Sequence, residues 1–144
     1  MTKEEILVRE IIGPGRNEIR GFVCAVQEAK KLLFGERVSR EDIFVTRDIY
    51  PAVAKRTNKK VKTAARQIER VGNLCWDSLD KSQKLRYIGK ALNDIRSPQD
   101  MIFYLAYFSQ YGKPYFVIMS EEWSQLQMIE TDIKPVRAEH DPYM

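Results

Sequence analysis

The most informative part of the sequence is the segment Tyr50-Pro-Ala-Val-Ala-Lys-Arg-Thr-Asn-Lys-Lys-Val-Lys-Thr-Ala-Ala-Arg-Gln-Ile-Glu-Arg70. Pro51 suits the first turn of a helix, where its missing amide hydrogen costs nothing. Asn58 stands where the chain must reverse, because asparagine tolerates the left-handed conformation better than most residues. We therefore predict a short helix that ends near Asn58 and a long helix that begins near Lys60 and runs past Trp76.

The two predicted helices have distinct inner and outer faces. Val53 and Ala54 of the short helix face inward, and Ala54 is small enough for a second helix to cross closely. The long helix carries apolar residues at helical spacing: Val61, Ala64, Ala65, Ile68, Val71 and Cys75. Polar and basic residues occupy its other face: Lys59, Lys62, Thr63, Arg66, Arg70 and Asn73. A short helix, a tight turn and a long helix with small inner residues and a basic outer face describe a helix-turn-helix. An ordinary helical hairpin with a solvated side has the same pattern.

The charge of the chain is concentrated in this segment. The formal net charge is +4, with 24 basic and 20 acidic residues. Between Arg47 and Arg70 there are eight basic residues against Asp48 and Glu69, so the segment has an excess of six and the remainder is slightly acidic. A local basic stripe on a near-neutral body is typical of a polyanion site, although a solvated charged face has the same composition.

The remaining sequence predicts an all-α fold, a compact multi-helix domain over residues 1–112 with a partly mobile C-terminal extension over residues 113–144. Further helices are expected over Lys3–Ile12, Asn17–Phe34, Ser39–Phe44, Ser82–Asn93 and Pro98–Tyr111. The last of these is apolar on more than one face, which favours the core slightly over an oligomer contact. Pro114–Met119 has the composition of a short strand, although a strand without a partner is unconvincing. A helix is expected to begin at Ser120, and a mobile tail after Thr131.

Several classes of site and location are disfavoured by the sequence. Cys24 and Cys75 lie in apolar helical contexts and predict two buried thiols in a reducing cytoplasm. His140 is the only histidine and falls in the expected tail. The sequence therefore does not provide the residues that a histidine metal site or a histidine-containing catalytic triad requires. The pairs Glu4-Glu5 and Glu121-Glu122 are expected at helix starts, where acids stabilise the positive dipole end. We expect no enzyme activity, no cofactor, no export signal and no membrane association.

A resemblance to a known family rests on Tyr50-Pro51, Ala54-Lys55-Arg56, Asn58, Arg66, Ile68 and Trp76. Over Phe44–Trp76 the sequence resembles, without a gap, the DNA-binding effector domain of the sporulation stage-zero response regulator of endospore-forming bacteria. Weaker similarity extends over Ile11–Gly21 and Arg96–Phe108. The resemblance implies an all-helical domain whose long helix, Lys60–Trp76, enters the major groove of DNA. It also implies transcriptional control and a homodimer or tandem protomers on repeated sites.

Three positions depart from the family pattern. Thr63 and Ala65 stand where the family typically carries an arginine and a glutamate, and Glu69 replaces a basic residue. An outward-pointing Glu69 would face phosphates unfavourably. The resemblance therefore implies that the long helix lies in the major groove as it does in the family, but it does not imply that the chain prefers the same DNA sequence. The family's amino-terminal phosphoacceptor domain has no room in this chain, so either phosphorylation does not control it or the chain is a fragment.

The leading hypothesis is a sequence-specific regulator that binds double-stranded DNA. The predicted base-reading residues are Lys62, Thr63, Arg66 and Arg70, and the predicted phosphate anchors are Lys55, Arg56, Lys59 and Lys60. An alternative is a protein-interaction module that holds a partner such as an RNA polymerase subunit. A further alternative is a nonspecific nucleoid-associated DNA binder.

Overall fold

The computed structural model describes residues 1–95 and 97–133, with side chains described through Met128. Seven α-helices run through these residues in the order α1 Lys3–Ile12, α2 Arg20–Lys30, α3 Tyr50–Thr57, α4 Val61–Ser78, α5 Lys81–Tyr87, α6 Asp100–Tyr111 and α7 Tyr115–Ile133. A widened helical turn, Lys31–Gly35, continues α2, and a second one, Val45–Ile49, leads into α3. The short helix expected over Ser39–Phe44 is a single 3-10 turn, Arg40–Asp42. The all-α prediction is confirmed.

Helix α2 lies at the centre of the fold. It packs against α1, α3, α4 and α6, which explains why residues on every side of its first two turns are buried. Phe22, Ala25 and Val26 are almost completely buried. Helix α6 contributes Met101, Ile102 and Leu105 to the same core. The preference for a core role over an oligomer contact for α6 is therefore confirmed for these side chains.

A buried polar cluster ties α1, α2 and α6 together. The Lys30 ammonium lies 2.8 Å from Glu4 Oε2 and 3.0 Å from Ser109 Oγ. Ser109 Oγ also donates to Glu4 Oε2 at 2.8 Å, and Gln27 donates to Glu4 Oε1 at 3.1 Å. Glu4 is therefore a core ion-pair residue in addition to its place in the first helical turn. Glu5 has the expected local role, since it forms a capping box with Thr2.

The end of the chain differs from the sequence prediction. Pro114–Met119, which has the composition of a strand, does not form one, because α7 begins at Tyr115 and buries Ile118. The predicted helix start at Ser120, and with it the placement of Glu121-Glu122 at a helix start, is wrong for the same reason. The expected tail beyond residue 133, including His140, lies outside the described residues.

Helix α5 is shorter than predicted. It ends at Tyr87, and Gly89 follows with a φ of +100° that ordinary side chains avoid. The Phe116 amide donates to the Ile88 carbonyl at 3.1 Å, so the start of α7 provides a partner at the end of α5. Tertiary packing from a distant segment therefore stops this helix well before the predicted end at Asn93.

Cys24 and Cys75 are buried free thiols, as predicted. Burial raises the pKa of the Cys75 thiol to about 12. Of the helices in residues 1–95 and 97–133, none combines the length and hydropathy that crossing a bilayer requires.

Candidate nucleic-acid interface

The turn between α3 and α4 is built by Asn58. Its backbone is left-handed, with φ 55° and ψ 49°, as the sequence predicted. The Lys59 amide donates to the Ala54 carbonyl at 2.9 Å and so satisfies a carbonyl at the end of α3. Lys60 is then extended and serves as the N-cap residue of α4. Two helices are thus joined by three residues.

Helix α4 buries one side and exposes the other. Ala64, Ile68, Val71 and Cys75 recur every three or four residues and are each at most 1% exposed. Val61 was predicted to belong to this apolar side, which is wrong: it is 45% exposed in the first turn. The buried side anchors α4 to α2, α3 and α6 and leaves its outer face directed to solvent.

All four residues predicted to read bases lie on this exposed face. Lys62, Thr63, Arg66 and Arg70 are exposed, and Lys62, Arg66 and Arg70 follow one another at intervals of one helical turn. The distance along the helix axis from Lys62 to Arg70 is about 12 Å at the ordinary rise per residue. Within the described residues, the side chains of Lys62, Thr63 and Arg66 make no hydrogen bond or ion pair. The Arg70 guanidinium donates to the Glu18 carbonyl at 3.4 Å.

Three of the four predicted phosphate anchors gather at the amino-terminal end of α4. Lys55, Lys59 and Lys60 are exposed on the last turn of α3 and in the connecting turn. Lys59 Nζ lies 3.4 Å from Gln67 Oε1, and the Lys59 side chain remains exposed. Cations at this end of α4 lengthen the positive surface that begins at Lys62.

Arg56 is placed differently from the other predicted anchors. Its guanidinium donates to Glu28 Oε2 at 3.0 Å and to Gln27 Oε1 at 2.7 Å, both on α2. Its side chain is still 43% exposed. The bonds hold Arg56 against α2, whereas Lys55 and Lys60 have no such partner among the described residues.

Glu69 lies beside the exposed basic face of α4, where a half-buried hydrogen bond holds its carboxylate. The Tyr50 hydroxyl donates to Glu69 Oε2 at 2.7 Å, and Gln99 donates to the Tyr50 oxygen at 3.0 Å. Tyr50 is 3% exposed, and burial together with the Glu69 hydrogen bond raises the pKa of its hydroxyl. The acid that the sequence placed in the basic segment is therefore used to join α4 to α3 and to the residue before α6.

Two structural contacts at this site were not predicted from the sequence. Gly21, at the start of α2, lies against Gln67 and Ile68 of α4, and a Cβ there would stand 3.7 Å from Gln67 Oε1. Gly72 packs even more closely, because a Cβ would stand 2.6 Å from the Pro98 carbonyl oxygen. Residues far apart in sequence make both contacts, so spacing along α4 gives no signal for them.

No group of three histidine, cysteine or acidic side chains within residues 1–95 and 97–133 is placed to hold a metal ion. No protein-family model, no curated protein and no solved structure matches the chain.

Proposed function

We propose that this chain is a sequence-specific transcription regulator that binds double-stranded DNA in the cytoplasm, with α4 in the major groove. The observation that carries the proposal is the exposed row of Lys62, Arg66 and Arg70 on a helix whose opposite side is buried. Helix α3 and the following turn add Lys55 and Lys60 at one end of the row. The resemblance to the sporulation regulator's effector domain supports the same docking mode, without enzymatic activity.

The chemistry of each residue suits its proposed role. The major groove is wide enough to admit one helix, and base edges in it are distinguished by hydrogen bonds. Arg66 presents a planar guanidinium that can donate two parallel bonds to a guanine, and Thr63 offers a hydroxyl beside it. Lys55, Lys59 and Lys60 neutralise backbone phosphates, which contributes affinity without sequence preference. Glu69 is half-buried and bonded to Tyr50, which holds its carboxylate toward the start of α3.

The test begins with selection of a preferred duplex from a random library by the full chain. On the selected duplex, Arg66→Ala is expected to cost about 1–3 kcal/mol and to relax the preference at one base pair. Lys55→Ala is expected to weaken binding to all sequences alike and to lower the salt slope by about one unit.

Lys31→Ala is the matched control. Lys31 is exposed and follows the last residue of α2, whereas Gly21, which contacts α4, lies at the start of α2. The control is expected to bind the selected duplex with the affinity and salt slope of the unaltered chain. If Arg66→Ala and Lys55→Ala behave like the control, α4 is not the DNA-binding helix.

A second candidate function, a protein-interaction module, draws on α7. Trp123, Leu126 and Met128 on this helix are 62%, 56% and 67% exposed. A folded helix with such side chains at its surface is suited to contact another protein, such as an RNA polymerase subunit. No enrichment of any DNA motif, together with retention of polymerase on the immobilised chain that Trp123→Ser abolishes, would favour this function. Salt-sensitive DNA binding without a motif would instead identify a nonspecific nucleoid-associated protein.

A further inference from the structure

The exposed face of α4 continues beyond the residues that the sequence predicted to read bases. Asn73 is exposed and lies seven residues after Arg66 on the same helix. Seven residues fall about 20° short of two full turns, so the two side chains leave α4 in nearly the same direction, about 10 Å apart along its axis. In the proposed docking, Asn73 therefore lies on the face directed at DNA.

The Asn73 side chain makes no hydrogen bond within the described part of the chain. Asparagine is also one of the poorer residues for the interior of a helix, so helix stability does not account for its place in α4. Gln67, the other amide side chain of α4, is half-buried, and its Oε1 lies 3.4 Å from Lys59 Nζ. Of these two amides, Asn73 is the one whose oxygen and nitrogen can both bond to a partner outside the chain.

The carboxamide of asparagine matches the major-groove edge of adenine. Its oxygen accepts from the adenine N6 amino group while its nitrogen donates to adenine N7. Successive base pairs are about 3.4 Å apart along the duplex, so an axial distance of about 10 Å on a helix that follows the groove corresponds to about three base pairs.

The same face of α4 carries an acid one turn beyond Asn73. Asp77 is exposed, and a carboxylate is unfavourable beside the phosphates of a duplex. The run of side chains suited to DNA, which begins at Lys62, therefore ends at Asn73.

We infer that Asn73 is a further base-reading residue, which recognises an adenine about three base pairs from the base pair that Arg66 reads. Recognition helices commonly read neighbouring bases with side chains spread over this length of helix. The inference rests on the proposed docking of α4 in the major groove and adds a specific base to it.

The test uses the duplex that the full chain selects and a copy in which the adenine–thymine pair is replaced by guanine–cytosine. The unaltered chain is expected to bind the copy at least about fivefold more weakly, whereas Asn73→Ala is expected to bind both duplexes alike because it lacks the amide. A third duplex carries 7-deazaadenine at the same position and so lacks the N7 acceptor. It is expected to weaken binding by the unaltered chain and to leave binding by Asn73→Ala unchanged.

Asn93→Ala is the matched control, because Asn93 is exposed and lies after the end of α5, outside α4. It is expected to distinguish the three duplexes as the unaltered chain does. Asn73→Ala is expected to stay folded, since alanine favours a helix, and circular dichroism checks this.

Two kinds of failure can be told apart. If Arg66→Ala relaxes the preference at one base pair, but no adenine is selected about three base pairs away or Asn73→Ala still prefers it, the inference is wrong and the proposed function stands. If no motif is selected, or Arg66→Ala has no effect, the proposed function and this inference are both wrong.

Discussion

Replacing Glu4 by glutamine gives a quantitative test of how the core is held. Burial raises the pKa of Glu4, but hydrogen bonds from Lys30, Ser109 and Gln27 outweigh it and lower the pKa from 4.5 to about 2. A shift of this size corresponds to about 3 kcal/mol of stability at neutral pH. Glu4→Gln is expected to lose about that amount, because it also leaves the Lys30 ammonium, 19% exposed, without its counter-charge.

The pH dependence follows from the direction of the shift. Because the folded pKa lies below the unfolded one, the contribution of Glu4 is fully present above about pH 4.5 and is lost as the pH falls toward 2. The difference in unfolding free energy between the unaltered chain and Glu4→Gln is therefore expected to shrink by about 2 kcal/mol between about pH 5.5 and about pH 3. Urea denaturation followed by circular dichroism at each pH measures it.

Glu36→Gln is the matched control for this experiment, since Glu36 is exposed and has no ion-pair or hydrogen-bond partner among the described side chains. Its stability is expected to stay within about 0.5 kcal/mol of the unaltered chain at every pH. Parallel stability curves for Glu4→Gln and the unaltered chain between about pH 5.5 and about pH 3 would refute the argument from the Glu4 pKa.

Three further predictions concern backbone fit and thiol burial. Gly72→Ala is expected to destabilise the chain by about 1–2 kcal/mol, since the clash of the new Cβ, 2.6 Å from the Pro98 oxygen, outweighs about 1 kcal/mol of gained helix propensity; a raised melting temperature would contradict the close packing. Asn58→Gly is expected to keep or slightly raise the melting temperature, whereas Asn58→Val, which cannot easily hold a φ of 55°, lowers stability by about 1–2 kcal/mol; equal stabilities would show that the left-handed turn is not required. Cys75, whose pKa burial raises to about 12, is expected to stay unmodified by iodoacetamide near pH 8 in the folded chain and to react in urea; rapid labelling of the folded chain is the contrary result, and mass spectrometry distinguishes them.

Local signals in the sequence predicted the helix pair well. Pro51 at the start of α3 and Asn58 at its end act through their own backbone preferences, so each one is visible without knowledge of the fold. The spacing of Ala64, Ile68, Val71 and Cys75 determined which side of α4 is buried. The exposure of the predicted base-reading residues follows directly from that spacing.

Features that depend on distant partners were not predicted. Pro114–Met119 resembles a strand in composition, yet the segment becomes helical where Phe116 and Ile118 pack against the body and the Phe116 amide meets the Ile88 carbonyl. Glu4 looked like an ordinary first-turn acid because Lys30 and Ser109, its partners, lie far along the chain. Glu69 looked like an unfavourable outward acid for the same reason, since its partner Tyr50 belongs to another helix.

The hydrogen bond from Tyr50 to Glu69 affects the direction in which the Arg66 side chain points. Successive side chains on a helix point about 100° apart, so the direction of each one is fixed by how the helix is rotated about its long axis. A rotation of α4 about that axis would therefore change the direction in which Arg66 points. Glu69 is held three positions beyond Arg66, which opposes such a roll, while the tight seating of Gly72 beneath Pro98 opposes sliding. With both motions restrained before any partner arrives, contact would require little ordering of the backbone, and more of the interaction free energy would remain to discriminate among targets.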